Sequence, residues 1–538
     1  MMTALAADTH SIEPRAHAPL TAEALLRQRA ETRPQSLALA DPPNRESFGL
    51  APPRSFTYAE ANAAVDLFAQ FFIDIGLTPG DTILVQLPNM VEQPLIILAA
   101  WRAGLTVAMV PMLWRGLEIA SVCDQVAPKA LIGVSRFGAE MQAETLCGIA
   151  ASQLSVRFVL GFGPDLPDGV TAIDEVLDAA RLDEPSPAVS RAPNGPALIT
   201  FTARDNAPLV AVHRTEEALL AQGAITVLAL GLTPRDVILN AYPFTGPAGL
   251  ALALMPWLIS GCAISQHQPF DYGDFVQQLL VTGATVTALP SSILGALSLD
   301  AVLRQPDCKI RQLGRVWSMP ELAKPLSELD EIAPPDFDLY AIGDLVSVVR
   351  PRQGNADPAL LPRGRIDMDT NGSGAFVETR LSTRDGDEFG TLLLRGPVIP
   401  RNAGKVWFAP DADGFVASGL QAKAAGGNGT LIRLMRDPEL LHHGGLTIAA
   451  CELDNLYESF PGFLNAACFV LHDKIVGDRI FAAIVPKPSA AISLDGLHRF
   501  LTDRGVAPYK LPDRLLVVKE IPRDAQCRVQ REAILARV

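Results

Sequence analysis

Short apolar runs alternate with helical patterns through the first half of the chain, over residues 56–297. Examples are TILVQL at 82–87, KALIGV at 129–134 and RFVLGF at 157–162. Strands separated by helices are typical of parallel sheets that carry crossover helices on both faces. The pattern therefore predicts an α/β architecture built on parallel sheets.

The pattern changes twice in the second half of the chain. Between residues 364 and 397, alternating residues with turn signals favour hairpins in a small antiparallel barrel or sheet. From Arg436 onward, the order of elements is predicted as helix (451–459), strand (466–471), strand (479–485), helix (494–504) and strand (514–519). This second change predicts a separate α/β module of about one hundred residues.

One uncharged stretch, residues 246–266, is long enough to span a bilayer. It contains Pro247, Pro256, three glycines and several polar residues, so a buried helix followed by a strand is the favoured interpretation. The first twenty residues include Asp8, Glu13 and two prolines and form no continuous apolar core of a secretory signal. We therefore expect a cytoplasmic protein without a membrane span.

Composition narrows the class of protein further. The 538 residues carry 45 Lys and Arg against 59 Asp and Glu, a formal charge of −14, which does not favour a nucleic-acid or anionic-membrane surface. The length predicts roughly three to four domain-sized units, and 49% hydrophobic with 19% charged residues provides enough apolar surface for several cores. The seven cysteines form no CxxC pair, which fits a reducing compartment and argues against structural zinc.

The order of local signatures resembles the adenylate-forming, or AMP-binding, superfamily, and in particular its acyl-CoA synthetases. The resemblance covers nearly the whole chain, beginning with SFTYAEANAAV at 55–65 and GDTILVQLPN at 80–89. Three later stretches carry it most specifically: TLLLRGP at 391–397, DGFVASG at 413–419 and VAPYKLPDRLLVVKEIPRDAQCRVQREAI at 506–534. Their joint appearance, in family order and spacing, supports the fold more strongly than the function.

The resemblance implies a specific domain organisation. A large N-terminal domain, residues 1–435, would contain two parallel-sheet subdomains and a small β-rich subdomain at about 350–435. A smaller, mobile C-terminal α/β domain would follow at 436–538. Family members join a carboxylate to AMP and then pass the acyl group to a thiol, usually coenzyme A. The implied cofactors are therefore ATP with magnesium and coenzyme A.

The family's phosphate loop, rich in Ser, Thr and Gly, corresponds here to residues 201–210. Thr202 and Pro208 match, whereas Leu209 replaces the family's lysine and Asp205 adds a negative charge beside the expected phosphates. The resemblance makes Thr202 a cofactor-binding candidate and Arg204 a replacement cation. The alternative is a surface loop in which Arg204 and Asp205 are simply solvated.

The second nucleotide element of the family is a Gly-Gly-Ala-Pro run followed by Tyr-Gly-x-Thr-Glu. This chain has Val316-Trp317-Ser318-Met319-Pro320, and later Tyr340-Ala341-Ile342-Gly343-Asp344. Bulky side chains thus stand where adenine would lie. Tyr340 is kept as a nucleotide contact, and Asp344 is a shorter but still hard oxygen ligand for magnesium. Alternatively, Asp344 only caps the chain or pairs locally.

The family's ribose and hinge positions are only partly kept. Leu420 stands where an aspartate of the family accepts the ribose hydroxyls, and a leucine accepts nothing. Arg436 matches the arginine that follows the ribose site, and Glu439 stands at the hinge. These matches are compatible with a C-terminal domain that rotates.

The family's C-terminal catalytic lysine corresponds to Arg528, and the glycine before it to Cys527. Charge survives at this position, but a guanidinium differs from an ammonium in shape and reach. Arg528 and Arg204 are therefore the catalytic candidates. Because no histidine lies near Cys527 in the sequence, we expect an inert thiol there.

On the substrate side, Tyr242 precedes a strongly apolar stretch, and Gly246 takes the place of a family histidine. The expected partner is a small-molecule carboxylate or acyl-CoA with an apolar acyl group, although a plain core would have the same composition. No nucleic-acid partner is expected. Dimers are common in the family, so a homodimer is compatible with the resemblance.

Two functions from different classes follow. The first is an AMP-forming carboxylate–CoA ligase in fatty-acid or carboxylate metabolism, working through Arg528, Arg204, Asp344 and Tyr340. The second is a non-catalytic homologue, a binding or regulatory partner, because four elements of the nucleotide site have changed together. A third, transfer from a preformed acyl-CoA or acyl-adenylate, has no positive support in the sequence.

Overall fold

The computed structural model describes residues 20–178, 195–204, 207–290, 293–294, 300–317, 336–352, 360–367, 375–383, 389–400, 409–426, 429–435, 437–473 and 477–537. Within these residues the chain forms strands and helices that belong to four sheets.

The helices mostly cover the faces of the sheets. They are α1 (Ala22–Thr32), α2 (Tyr58–Asp74), α3 (Glu92–Arg102), α4 (Gly116–Val126), α5 (Gln142–Ala150), α6 (Glu175–Asp178), α7 (Glu216–Leu230), α8 (Pro247–Gly249), α9 (Met255–Ser260), α10 (Tyr272–Val281), α11 (Asp300–Leu303), α12 (Ala450–Glu458), α13 (Leu494–Asp503) and α14 (Arg531–Leu535). Turns of 3₁₀-helix occur at Arg45–Phe48 and Pro508–Lys510, and a π-helical turn at Leu250–Leu254 joins α8 to α9.

The strands before residue 300 are β1 (Leu37–Ala40), β2 (Ser55–Thr57), β3 (Thr82–Val85), β4 (Thr106–Met109), β5 (Ala130–Val134), β6 (Phe158–Phe162), β7 (Val170–Ala172), β8 (Leu198–Arg204), β9 (Ala207–Arg214), β10 (Val237–Asn240), β11 (Ala263–Gln266) and β12 (Val286–Pro290). Those after it are β13 (Gln312–Trp317), β14 (Phe337–Ile342), β15 (Val346–Pro351), β16 (Leu360–Pro362), β17 (Gly364–Asp367), β18 (Ala375–Thr383), β19 (Phe389–Arg395), β20 (Val416–Ala425), β21 (Leu431–Met435), β22 (Leu440–His443), β23 (Leu446–Ala449), β24 (Phe463–Asp473), β25 (Gly477–Pro486) and β26 (Leu515–Val517).

Two sheets are predominantly parallel. The seven-stranded sheet has the order β7-β6-β5-β3-β4-β8-β9, and only its edge pair β8–β9 is antiparallel. The eight-stranded sheet has the order β15-β14-β13-β12-β10-β11-β1-β2, with antiparallel pairs at both edges. Apolar residues of both sheets share one core with α2 and α3, and α3 is buried along its whole length. The predicted parallel sheets are confirmed.

The other two sheets follow in the second half of the chain. The six-stranded sheet, β16-β21-β20-β19-β18-β17, is antiparallel throughout. The last sheet contains β22 to β26 and packs with α12 and α13 around its own core. The α/β fold class, with a β-rich part between two α/β parts, agrees with the expectation.

The uncharged stretch at 246–266 is a buried helical segment followed by a strand. Its residues form α8, the π-helical turn, α9 and β11, and nearly all of them are buried in the large core. Among the described residues, no helix is both long and apolar enough to cross a membrane. The favoured interpretation of this stretch is confirmed.

Candidate functional site

Three sheets meet at the candidate site. Arg204 ends β8 of the seven-stranded sheet, Asp344 lies in the turn between β14 and β15 of the eight-stranded sheet, and Ser418 lies on β20 of the six-stranded sheet. Residues 205 and 206 are outside the described part of the chain, and the expectation for Asp205 lies there. On either side of them, β8 and β9 pair directly, with Thr202 opposite Val210.

The Arg204 side chain is buried within this meeting point, with only 5% of its surface exposed. Its Nη1 donates a hydrogen bond to the backbone oxygen of Ser418. The interpretation of Arg204 as a solvated surface residue is therefore wrong. Burial lowers the pKa of Arg204 to about 10, with the charge of Asp344 acting in the opposite direction, so the guanidinium stays charged at neutral pH.

Gly419 makes room for this guanidinium. Its φ is +79°, a left-handed conformation that favours glycine. A Cβ atom at this position would lie 1.5 Å from Nη1 of Arg204. The arginine therefore fills the space directly against the Ser418–Leu420 stretch, where the resemblance places the ribose contacts.

The structure brings Thr202 and Asp344 together. The Thr202 hydroxyl donates to Oδ2 of Asp344 at 2.6 Å, across 142 residues of sequence. Thr202 itself is 4% exposed. Since this contact joins two sheets, the interpretation of Asp344 as a purely local cap is wrong.

Arg214, at the end of β9, is a site residue that sequence analysis missed. Its Nη1 and Nη2 donate to the backbone oxygens of Leu345 and Asp344, each at 2.6 Å, and its Nε donates to Thr200 at 3.3 Å. Burial lowers the pKa of Arg214 to about 10, against the effect of Asp344. An arginine at the end of one apolar strand gives no signal of this role, because its two backbone acceptors lie 130 and 131 residues further along the chain.

The charges of the two buried arginines interact with one carboxylate. Asp344 acts on the pKa of both Arg204 and Arg214. These three groups form a charged cluster in a region shielded from water, where interactions between charges are stronger than at an exposed surface.

The nucleotide-contact candidate Tyr340 lies on β14 and is 5% exposed. It belongs to an apolar cluster that also contains Trp317 and Leu420. Leu420, at the family's ribose position, is 8% exposed and faces this cluster. Ser318, Met319 and Pro320 lie outside the described residues, as does the candidate Arg436.

The C-terminal candidates Glu439, Arg528 and Cys527 differ in their surroundings. Glu439 receives hydrogen bonds from Arg531 at 3.2 and 2.9 Å, an ion pair that ties the hinge position to α14. Arg528 is exposed on a hairpin turn, where its backbone N–H donates to Asp524. Cys527 has a φ of +64°, the left-handed conformation that suits the glycine of the family.

The last sheet contacts the candidate site through β22 and β23, whereas the Arg528 hairpin makes its described hydrogen bonds within the C-terminal part. Ala203, next to Arg204, packs against Leu440 and Ala449. The hairpin is instead held by Arg523, which donates to Glu458 and Asn465. Among the described hydrogen bonds and ion pairs, those of the Arg528 hairpin join it to other parts of residues 437–537.

A buried ion-pair cluster joins the C-terminal part to α4. Lys510 lies 2.8 Å from Glu118 of α4, both with 1% of the side chain exposed, and it also pairs with Glu452 of α12. Glu118 further accepts from the backbone N–H of Ala507 at 3.3 Å. Lys510 was not singled out from the sequence, because its charge alone does not reveal burial.

The fold and this site define an adenylate-forming enzyme scaffold. The sequence matches the family model described as AMP-binding enzyme over residues 26–332, more than half of the chain. The chain belongs to this family.

Characterised relatives align along nearly the whole chain. A salicylyl-CoA synthase / salicylate adenylyltransferase of Streptomyces is 26% identical and covers 92% of this chain and 90% of its own. The 2-hydroxy-7-methoxy-5-methyl-1-naphthoate–CoA ligase of Streptomyces carzinostaticus is 28% identical, with 95% and 92% covered.

Solved structures share the fold. The o-succinylbenzoate CoA synthetase of Bacillus subtilis, bound to a product analogue, has a TM-score of 0.74 at 21% identity, covering 94% of this chain and 97% of its own. An ATP-bound structure from Rhodopseudomonas palustris has a TM-score of 0.60 at 19% identity, with 96% and 98% covered.

Proposed function

We propose that this protein binds an apolar, aromatic carboxylic acid on the scaffold of a carboxylate–CoA ligase, and that it does not carry out conventional ATP-dependent adenylation. The aromatic class is supported by relatives named for salicylate and a substituted naphthoate. The apolar stretch after Tyr242, buried as α8, the π-helical turn and α9, is consistent with such an acid.

The observation that carries the proposal is the position of Arg204. Its guanidinium is bonded to the Ser418 carbonyl and packed over Gly419, so the groups expected to hold a nucleotide are bonded to each other. Thr202 similarly uses its hydroxyl on Asp344, the magnesium candidate. These residues do not fit ATP, since a nucleotide would have to displace both contacts.

Leu420 adds a second obstacle to nucleotide binding. Its side chain is buried in an apolar cluster and has no hydrogen-bonding atom. Ribose hydroxyls placed against it would lose their bonds to water without gaining a partner, which costs about 1–3 kcal/mol per buried group. A bound nucleotide would therefore be disfavoured on the ribose side as well as on the phosphate side.

A second candidate function is a working AMP-forming ligase with altered contacts. The burial of two charged guanidinium groups, those of Arg204 and Arg214, beside Asp344 favours it, because phosphates and carboxylates are anions that such groups bind. In this alternative Arg204 and Arg528 supply cations, Asp344 holds magnesium, Thr202, Tyr340 and Arg436 contact the nucleotide, and Glu439 acts at the hinge.

The experiment combines acid binding with pyrophosphate release. Purified protein is titrated with benzoate, salicylate and 1-naphthoate, and each acid is then incubated with Mg-ATP and coenzyme A. We expect saturable binding of at least one acid and no pyrophosphate above a no-protein blank. Pyrophosphate release that disappears in Arg204→Ala, but persists in the exposed-arginine control Arg235→Ala, would establish the ligase instead. If none of the acids binds, the proposed substrate class is wrong.

A further inference from the structure

Two neighbouring parallel strands end in buried amide side chains. Asn240 closes β10 and Gln266 closes β11, the two residues are register partners, and both are fully buried. The carboxyl ends of parallel strands are where α/β sheets commonly bind ligands. The connection that follows β10 contains Tyr242, which lies at the expected acyl side of the site.

Hydrogen bonds fix the orientation of both amides. The backbone N–H of Tyr242 donates to Oδ1 of Asn240 at 3.2 Å, so Nδ2 of Asn240 must lie on the other side of its amide. That nitrogen donates to Oε1 of Gln266 at 2.8 Å and to the Tyr242 carbonyl at 2.9 Å. Turning either amide over would set donor against donor, so Nε2 of Gln266 is the atom directed away from Asn240.

This nitrogen is an unsatisfied donor. Within the described structure, Nε2 of Gln266 is buried and has no hydrogen-bond acceptor. The hydroxyl of Tyr242 is likewise buried without a partner. Burial raises the pKa of Tyr242 well above its ordinary value, so the phenol remains an O–H donor at physiological pH. Buried polar groups nearly always have partners, so two such donors near one strand end need an explanation.

The adjoining helix is irregular at the same place. The π-helical turn Leu250–Leu254 packs against β10, and Gly249 ahead of it is so close to Pro243 that a Cβ would lie 2.3 Å from the Pro243 oxygen. π-helical turns recur next to functional sites. The irregular turn and the unsatisfied donors are independent features of one region.

We propose that Gln266 is a specificity-determining residue whose Nε2 donates to an acceptor oxygen on the ring of the bound aromatic acid. Tyr242 provides a second donor from the connection that follows β10. This inference rests on the proposed function, because it assigns the polar part of the acid-binding site. It selects acids that carry a hydroxyl, alkoxy or carbonyl oxygen over equally large acids that lack one.

The test uses pairs of acids that differ in one group, an oxygen atom in one acid and a methylene in the other. The 2-, 3- and 4-methoxybenzoates each place an oxygen where the corresponding ethylbenzoates place a methylene group. Calorimetry on the full chain measures both dissociation constants for each ring position. We expect one methoxy isomer to bind about tenfold more tightly than its ethyl partner, the effect of one hydrogen bond of about 1.4 kcal/mol.

The variant Gln266→Met removes the donor and keeps the size of the side chain. We expect it to bind the two acids of the preferred pair equally. Because it also removes Oε1, the acceptor of Nδ2 of Asn240, we expect a melting temperature no higher than that of wild type. The control Gln86→Met changes a buried glutamine whose Nε2 already donates to Pro111 and Trp114. The control should melt at a lower temperature than wild type and should still bind the methoxy acid more tightly than its ethyl partner.

The outcomes separate the two proposals. If an acid binds and Gln266→Met leaves the methoxy preference unchanged, or if wild type shows no preference, the role of Gln266 is wrong and the proposed function stands. If the partner of Nε2 of Gln266 is a water molecule and not a ligand oxygen, the measurements likewise show no methoxy preference that depends on Gln266. If neither protein binds any acid of the panel, the proposed function fails and the inference fails with it.

Discussion

Lys510 is predicted to hold the proposed C-terminal domain, residues 436–538, against α4. It is a buried cation between two carboxylates, the buried Glu118 at 2.8 Å and the partly buried Glu452. Lys510→Met keeps most of the side-chain volume and leaves both carboxylates without their cation. Removing one partner of a buried pair typically costs about 3–5 kcal/mol. We expect a loss of this size in denaturant unfolding, or a release of the C-terminal residues that hydrogen exchange detects.

The sign of the pH effect provides a further check. Burial raises the pKa of Glu452, and Lys510 opposes this shift. Without Lys510, the folded-state pKa rises further above the unfolded value. Stability is then retained at low pH and lost as pH rises through the folded-state pKa. The loss of unfolding free energy in Lys510→Met, relative to wild type, should therefore be smaller at pH 5 than at pH 8.

A double-mutant cycle identifies the partner. Glu118→Gln should lower the free energy of unfolding less in the Lys510→Met background than in wild type. The difference between these two losses, the coupling energy, should exceed about 1 kcal/mol. The exposed Lys519 gives the matched control, and Lys519→Met should change stability by no more than about 0.5 kcal/mol. A coupling near zero, together with unchanged exchange of residues 440–537, would refute the reasoning.

Three further predictions concern other buried polar groups. Burial lowers the pKa of His267, so the free energy of unfolding should fall as pH drops below about 6.5, by at most about 1.4 kcal/mol per pH unit. This part of the pH dependence should vanish in His267→Gln. The same slope in the variant as in wild type would contradict the prediction. Gly419→Ala should lower the free energy of unfolding by about 1–2 kcal/mol because of the left-handed backbone, and by more because the new Cβ displaces Arg204. In denaturant unfolding, this loss should be smaller in an Arg204→Ala background. Equal losses in both backgrounds would show that the two residues do not compete for space. Arg214→Met should cost about 2–4 kcal/mol, because it leaves two buried carbonyls without donors; a neutral effect on the unfolding free energy would mean that these bonds are replaced.

The sequence predicted those parts of the molecule that depend on local pattern. The apolar runs at 82–87, 129–134 and 157–162 became β3, β5 and β6, because a buried parallel strand needs a continuous apolar run. Residues 246–266 became buried helix and strand for a similar reason, since the prolines and glycines break up a long membrane-spanning helix.

Long-range polar contacts were much harder to foresee. Motif position paired Thr202 and Asp344 as candidates, but not the hydrogen bond between them. For Arg204 the sequence left two interpretations, a replacement cation or a solvated surface residue, and its burial could not be foreseen because its acceptor lies 214 residues further along the chain. Lys510 is equally uninformative in sequence, because its partner Glu118 becomes a neighbour only when the C-terminal part packs on α4.

The most direct test of the central claim is Mg-ATP binding by the intact protein, measured by calorimetry and by the melting temperature without any acid. We predict no heat of binding and no rise in melting temperature at millimolar ATP, because the proposal has Arg204 bonded to the Ser418 carbonyl and leaves the ribose facing the apolar Leu420. A ligand at 100 times its dissociation constant would add about 2.7 kcal/mol of stability. A stabilisation of that size by ATP in wild type would contradict the account.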